Sequence, residues 1–190
     1  MDIISHGFWA GTAYKAGNKI KPFQKGKRKK FLFFVFWGIM PDIVSFGLLF
    51  FWFALVIVSS GFDFSVLPSH IRSIEATEPP AMLGFMPIFQ LTSALYSASH
   101  SIILFCFVFG LFFFFIKKPP WTMLGWLLHI LIDIPTHSYQ FYPTPFLWPI
   151  SGWKFYGISW GTPWFLVINY SAILVVYFLF WRKKKKEVVV

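Results

Sequence analysis

Long apolar stretches separated by short polar segments dominate the chain. An α-helix needs about 20 residues to cross the hydrocarbon of a bilayer. Four stretches reach that length: residues 31–60, 85–116, 121–139 and 164–181. A shorter apolar segment, residues 1–18, precedes them and ends at Gly17 and Asn18, a typical helix stop signal. The pattern predicts an all-α, polytopic membrane bundle of about four transmembrane helices plus a short N-terminal helix, in one integral membrane domain covering residues 1–190.

Composition supports a membrane protein and argues against a nucleic-acid-binding one. Of the 190 residues, 57% are hydrophobic and only 13% are charged, against roughly 25% in ordinary soluble domains. The net charge of +10 is concentrated beside the apolar stretches, at residues 19–30, 117–118 and 182–186. With four spans these groups fall on one side, which the positive-inside rule assigns to the cytoplasm. We therefore expect a multi-pass protein of the inner (cytoplasmic) membrane with both termini cytoplasmic, the lipid bilayer as its partner and no nucleic acid.

Two loops are expected on the opposite side. Residues 61–84 carry charged side chains and a Pro-Pro pair that stops any helix. Residues 141–163 are rich in proline and tryptophan, which is typical of a cap at the headgroup level. Cys106 is the single cysteine and lies in an apolar stretch, where we expect a small buried hydrophobic side chain.

Ionisable residues inside the apolar stretches are the candidates for function. Such groups are costly in a membrane and usually face a site or a partner. No Lys or Arg lies within the four stretches to compensate the buried carboxylates. A divalent metal held by imidazole and carboxylate ligands would supply that compensation. The residues are Asp42, His100, His129, Asp133 and His137.

The spacing of three of these residues favours one shared site. His129, Asp133 and His137 follow at i, i+4 and i+8, on one face of a helix, although Pro135 is expected to kink the helix near His137. At 1.5 Å per residue, the candidates lie roughly 16 to 25 Å from the neighbouring cation groups. His6 reaches a similar depth if the N-terminal helix dips into the bundle. All six residues can therefore converge near mid-membrane.

Two other interpretations stay open. A buried His is often a hydrogen-bonded core residue, and Asp42 after Pro41 can cap a helix inside the span. Intramembrane Asp and His also form proton or ion pathways.

The same residues resemble the motifs of a family of membrane-bound metal-dependent hydrolases, also described as LexA-binding, inner-membrane-associated hydrolases. The motifs appear in the order of that family and extend from residue 6 to about residue 160. They are His6-Gly7, Pro41-Asp42, His100-Ser101, Gly125-x3-His129-x3-Asp133-x2-Thr136-His137 and Trp148-Pro149. The family is distantly similar to the all-helical, zinc-dependent phospholipase C and nuclease superfamily.

The resemblance implies a metal-dependent hydrolase that acts on phosphoesters. Many family members read His-Arg-Gly-x-Thr-His-Ser where this chain reads Leu95 to Ser101, so a His and an Arg are missing here. Many also carry a second acid after Pro-Asp, where this chain has Val44. These departures imply fewer metals, another substrate or an inactive protein.

The sequence thus leads to one main hypothesis and two alternatives. Six residues, namely His6, Asp42, His100, His129, Asp133 and His137, are expected to bind one or more divalent metals, most simply Zn²⁺, with Mn²⁺ or Fe²⁺ open. A metal-activated water would hydrolyse an amphiphilic or lipid phosphoester, with Asp42 or Asp133 as general base. The alternatives are a component for ion, proton or metal transport, and a catalytically inactive membrane scaffold.

Overall fold

The computed structural model describes residues 1–17, 27–63, 65, 87–139 and 142–188, with only the backbone of residues 27 and 183–188. The described residues are all-helical, as predicted, and contain no β-strand. Most of the loop predicted at residues 61–84, and much of the first cation group, lie outside the described residues. The helices are α1 (Ile3–Ala16), α2 (Lys27–Ser59), α3 (Pro87–Ser99), α4 (Ile102–Ile116), a single 3-10 turn (Trp121–Met123), α5 (Leu124–Thr136) and α6 (Pro163–Val188).

Helix α2 is the centre of the fold. It packs against α1, α3 and α5, whereas α6 packs mainly on α1. Ala10, Tyr14 and Phe34 form the buried contact between α1 and α2. A second buried cluster, centred on Trp126 and Ile130 of α5, packs against α4. This arrangement places one face of α5 against α2 at the middle of the bundle.

Glycines allow three helices to approach closely at this point. A Cβ at Gly38 of α2 would lie 2.6 Å from the Cβ of Ala10 in α1. A Cβ at Gly125 of α5 would lie 3.0 Å from the Gly38 nitrogen and would overlap the Phe34 carbonyl oxygen. Any larger residue at either position would therefore push the helices apart. Gly38 and Gly125 lie one helical turn before Asp42 and His129, so the closest packing coincides with the candidate site.

The apolar stretch 85–116 is not one continuous helix. Helices α3 and α4 are bent by 64° at His100 and Ser101. Ser101 caps α4 by accepting a hydrogen bond from the Leu104 N–H at 3.1 Å, and it donates one to the Trp148 carbonyl. The Ile102 N–H donates to the Phe146 carbonyl at 3.0 Å. Phe146 and Trp148 belong to the segment 141–163, which is called the aromatic segment below. Their carbonyls accept hydrogen bonds at the break, and His100 therefore lies at a bend inside the bundle.

Helix α5 is shorter than the predicted span 121–139, because it ends at Thr136. Beyond it, His137 is extended, with φ −111° and ψ 145°. The N–H groups of Gly157, Ile158 and Trp160 donate to the carbonyls of residues 135–137. These bonds replace the ones a continuing helix would make. A Cβ at Gly157 would lie 2.5 Å from the His137 carbonyl oxygen, which accounts for glycine there.

The structure supports membrane association but does not confirm the predicted count of four spans. Among the described residues, α2 and α6 are long and apolar enough to cross a membrane, and the bent pair α3–α4 adds a third if it is one span. Many large apolar side chains remain at the surface, including Phe115, 75% exposed, and Leu174, 71% exposed. Exposed apolar surface of this extent marks contact with lipid or another apolar partner. Cys106, expected to be buried, is exposed on α4 among these side chains, because no part of the chain that the structure describes covers it.

Side-chain hydrogen bonds attach α6 to α1. Asn169 donates to the Ser5 hydroxyl at 2.7 Å and accepts from the Trp9 indole at 2.8 Å. Tyr170 donates to Asp2 at 2.9 Å. Polar bonds of this kind hold transmembrane helices together where apolar burial gives little driving force.

Candidate metal centre

Four acidic and imidazole side chains meet where α2, α5 and the α3–α4 break come together. Asp42 is provided by α2, His129 and Asp133 by α5, and His100 by the break. All four are buried, with His100 and Asp133 fully inaccessible to solvent. One ligand atom from each lies within 4.8 Å of the others. Such a group could hold a metal ion, as the sequence predicted for these four residues; the identity of the metal is not shown.

The distances within this four-residue group match the edges of a coordination shell. The Nε2 atoms of His100 and His129 are 3.1 Å apart. They lie 3.3 and 3.1 Å from Asp133 Oδ2, and 3.6 and 3.7 Å from Asp42 Oδ1. Two ligand atoms bound tetrahedrally to one ion, each at 2.0–2.1 Å, are about 3.3 Å apart. The donor set and its spacing therefore fit one small divalent cation.

Hydrogen bonding within the group does not account for the arrangement. A charge-assisted N–H···O bond has a length of about 2.7–2.9 Å, and most of these pairs are longer. Asp133 Oδ2 has no hydrogen-bond partner although two ring nitrogens face it, and Asp42 Oδ2 has none either. Buried carboxylate oxygens without partners are costly. A cation between the four side chains would remove that cost for Asp133 Oδ2, which faces the centre.

The outer nitrogens of the histidines are fixed by backbone carbonyls. His129 Nδ1 donates to the Gly38 carbonyl at 2.7 Å. His100 Nδ1 donates to the Tyr96 carbonyl at 3.1 Å, with the Ser99 hydroxyl also within 2.9 Å. Because Nδ1 carries the proton in each ring, Nε2 presents its lone pair to the centre. In metal sites, a hydrogen bond from the outer ring nitrogen to a carbonyl orients a histidine ligand in this way.

His6 and His137 approach the other oxygen of the Asp133 carboxylate. The Nε2 atoms of His6 and His137 lie 2.9 and 3.3 Å from Asp133 Oδ1. His6 also stacks on the ring of His129 with 3.6 Å between centroids, and neither of its ring nitrogens has a hydrogen-bond partner. His137 Nδ1 donates to the Tyr142 carbonyl at 2.8 Å. Both residues therefore contact the site, but they are not part of the four-donor group.

Several contacts at the site were not predicted from the sequence. The amino nitrogen of Met1 contacts Asp133 Oδ1 and lies 2.8 Å from His137 Nε2. The carbonyls of Gly38, Tyr96 and Tyr142 orient the histidines, and the sequence carries no signal for such backbone contacts. The nearest indication in the sequence is the Gly125-x3-His129 spacing, because Gly125 lies one turn before His129 and contacts Gly38.

The wall behind Asp42 contains a short chain of hydroxyl groups. Ser45 donates to the Pro41 carbonyl at 2.6 Å and lies 2.8 Å from the Ser99 hydroxyl. The Trp126 indole donates to the Ser99 carbonyl at 2.6 Å. These bonds connect α2, α3 and α5 around the site. They restrict how far Asp42 and His100 can move relative to each other.

No protein-family model, curated protein or solved structure matches the chain.

Proposed function

We propose that the protein is a membrane-embedded, metal-dependent hydrolase whose metal, most simply Zn²⁺, is held by Asp42, His100, His129 and Asp133. One observation carries the proposal. Four buried donor atoms of the types that zinc prefers converge at coordination spacing, and one of them, Asp133 Oδ2, has no hydrogen-bond partner among the described residues. The bound metal would supply a water of lowered pKa and an electrophile for an ester oxygen.

The two aspartates have different contacts, and we assign them different roles. Both Asp133 oxygens face imidazole or amino nitrogens, so neither oxygen is free to accept a proton from a water molecule. Asp42 offers Oδ1 to the donor group and keeps Oδ2 without a partner. We therefore assign the general base to Asp42, and Asp133 to ligand positioning.

The reaction that we propose is hydrolysis of a phosphoester, which the resemblance of the site motifs to the hydrolase family implies. The oxygen of water forms a bond to phosphorus, and the bond from phosphorus to the ester oxygen breaks. Asp42 takes a proton from the water and returns it to the released ester oxygen, which leaves as an alcohol. Burial among helices that contact lipid favours an amphiphilic substrate over a freely soluble one.

The position in the membrane is part of the same proposal. We place the protein in the inner (cytoplasmic) membrane with its basic groups, including Lys117 and Arg182, on the cytoplasmic side. The exposed aromatic segment around Trp153 and Tyr156 would then lie at the opposite headgroup level.

The first test is the metal content of detergent-purified protein, measured by mass spectrometry. We expect one zinc per chain in the wild type and none in His129→Ala/Asp133→Ala, followed by turnover of lipid phosphoesters by the wild type only. A matched control is Cys106→Ala, which changes an exposed potential ligand outside the site. A folded wild type that binds no metal after zinc is added back would refute the proposal.

A further inference from the structure

A cleft separates α5 from α6 on the side of the bundle away from α3. Its volume is about 490 Å³, in the range of pockets that bind small ligands. Helix α6 packs mainly on α1, so α1 forms the floor of the cleft, and α5 and α6 form its walls. Each helix contributes an i, i+4 pair to the lining, so the cleft runs along the helices. The pairs are Trp9 and Ala13, Leu128 and Ile132, and Ile168 and Ala172.

One end of the cleft reaches the metal centre. Ile132 precedes Asp133 on α5, so the lining and the site occupy neighbouring faces of one helix. Met1 also lines the cleft, and its amino nitrogen contacts Asp133. Met1 therefore belongs both to the lining of the cleft and to the surroundings of Asp133.

The other side of the cleft lies at the surface that contacts lipid. Ile168 lines it and is 61% exposed, on a helix long and apolar enough to cross the membrane. In the membrane placement proposed above, the medium around this wall is hydrocarbon. Water would be unfavourable in a space lined almost entirely by apolar side chains. An empty space would forfeit dispersion contacts along three helices.

We infer that this cleft binds one acyl chain of a membrane lipid and directs its head toward Asp133. The occupant follows from the apolar lining, from the exposed Ile168 wall and from the continuity with the site. Asn169 lies in the lining but is hydrogen-bonded to Ser5 and Trp9. The Thr12 hydroxyl also lies in the lining and has no hydrogen-bond partner among the described residues, but a single hydroxyl among apolar side chains is too little to hold a freely soluble polar ligand. The binding of the chain stands on the cleft alone; the role of the lipid as substrate rests on the proposed function.

The test uses the full chain purified in detergent and a phosphatidylcholine that carries a photoreactive diazirine in one acyl chain. The lipid is titrated, and the labelled residues are mapped by mass spectrometry. We expect labelling of Leu128, Ile132 and Ala172 to saturate at one lipid per chain. Labelling at Leu174, which is exposed on the same helix outside the cleft, should rise without saturating.

Two matched variants on α6 test the cleft directly. Ala172→Trp fills the cleft and should abolish the saturable labelling, whereas Leu174→Trp adds the same side chain at the exposed surface and should leave it unchanged. If Ala172→Trp does not fold, Ile168→Trp blocks the cleft from its exposed wall. Labelling of cleft residues that never saturates, or that both tryptophan variants leave unchanged, would overturn the inference.

The double variant His129→Ala/Asp133→Ala separates this inference from the proposed function. It removes two metal ligands but no cleft residue, so the saturable labelling should persist. Loss of metal with intact labelling would show that the cleft binds the acyl chain without the metal. Metal binding and turnover without saturable labelling would overturn the cleft and leave the hydrolase proposal standing.

Discussion

Replacing Gly125 by alanine tests whether close helix packing sets the geometry of the metal centre. The new Cβ would lie 3.0 Å from the Gly38 nitrogen and closer still to the Phe34 carbonyl oxygen. Favourable contacts require about 3.5–4.0 Å, and the contact with the Phe34 oxygen is the closer of the two, so α5 and α2 must separate by about 1.4 Å or more. The 2.7 Å bond from His129 Nδ1 to the Gly38 carbonyl would lengthen to about 4.1 Å, beyond hydrogen-bond range.

The expected result is weaker metal binding together with a modest loss of stability. Loss of an outer contact to a ligating histidine lowers metal affinity by about 10- to 100-fold, or about 1.4–2.7 kcal/mol. Overpacking costs about 1–3 kcal/mol, against a gain of about 1 kcal/mol in helix propensity for alanine over glycine. Competition with a zinc-binding dye measures the affinity, and thermal unfolding in detergent measures the stability.

Gly110→Ala is the matched control. Gly110 also lies in a helix, α4, but a Cβ there meets no atom within 4 Å. This variant should gain helix propensity and bind metal as the wild type does. If Gly125→Ala binds metal and unfolds like Gly110→Ala, the glycine contact does not set the site, and the reasoning from helix packing is refuted.

Three further substitutions distinguish the roles of the side chains around the site. Asp42→Asn keeps an oxygen donor but removes the base, so turnover of a lipid phosphoester should fall by about 10²–10⁴-fold while mass spectrometry still detects bound metal. His6→Ala/His137→Ala should retain one metal per chain with about 10- to 100-fold lower affinity, since both residues contact Asp133 outside the four-donor group. Asn169→Leu leaves the Trp9 indole without its partner and should cost about 1–3 kcal/mol in thermal unfolding.

Each of these expectations has a contradicting outcome. Unchanged turnover in Asp42→Asn would mean that another group is the general base. A fall from two metals per chain to one in the His6/His137 double variant would show that these residues hold a second ion. For Asn169→Leu, the control is Val167→Leu on the exposed face of α6; equal unfolding temperatures would mean that the hydrogen bonds between α1 and α6 contribute nothing measurable.

The helical class was accessible from the sequence, and the four donors were among the six predicted ligands, although the sequence did not separate them from His6 and His137. His129 and Asp133 share a helix face because i and i+4 positions always do. Asp42 and His100 could be added because charges without basic partners in apolar stretches must be compensated, and because their distances from the cation groups are similar. These arguments use only periodicity and the cost of burying charge, which do not depend on tertiary detail.

The break at His100 and the early end of α5 could not be predicted in the same way. Residues 95–105 contain no proline or glycine, and the break depends on hydrogen bonds from residues more than 40 positions away. Pro135 suggested a kink, but the helix ends at Thr136. The carbonyls of residues 135–137 accept hydrogen bonds from N–H groups of residues 157–160 instead of from a further helical turn. Such contacts between distant segments leave no local pattern.

The dependence of the α3–α4 break on the aromatic segment also has a consequence for biosynthesis. Phe146 and Trp148, whose carbonyls accept from the Ile102 N–H and the Ser101 hydroxyl, are made some 45 residues later. Until they emerge from the ribosome, the Ile102 N–H lacks this acceptor, and a straight helix through residues 99–102 would satisfy it within its own backbone. We therefore expect His100 to pass through an unbroken helix before the bend forms. The metal centre is assembled only when the last third of the polypeptide arrives.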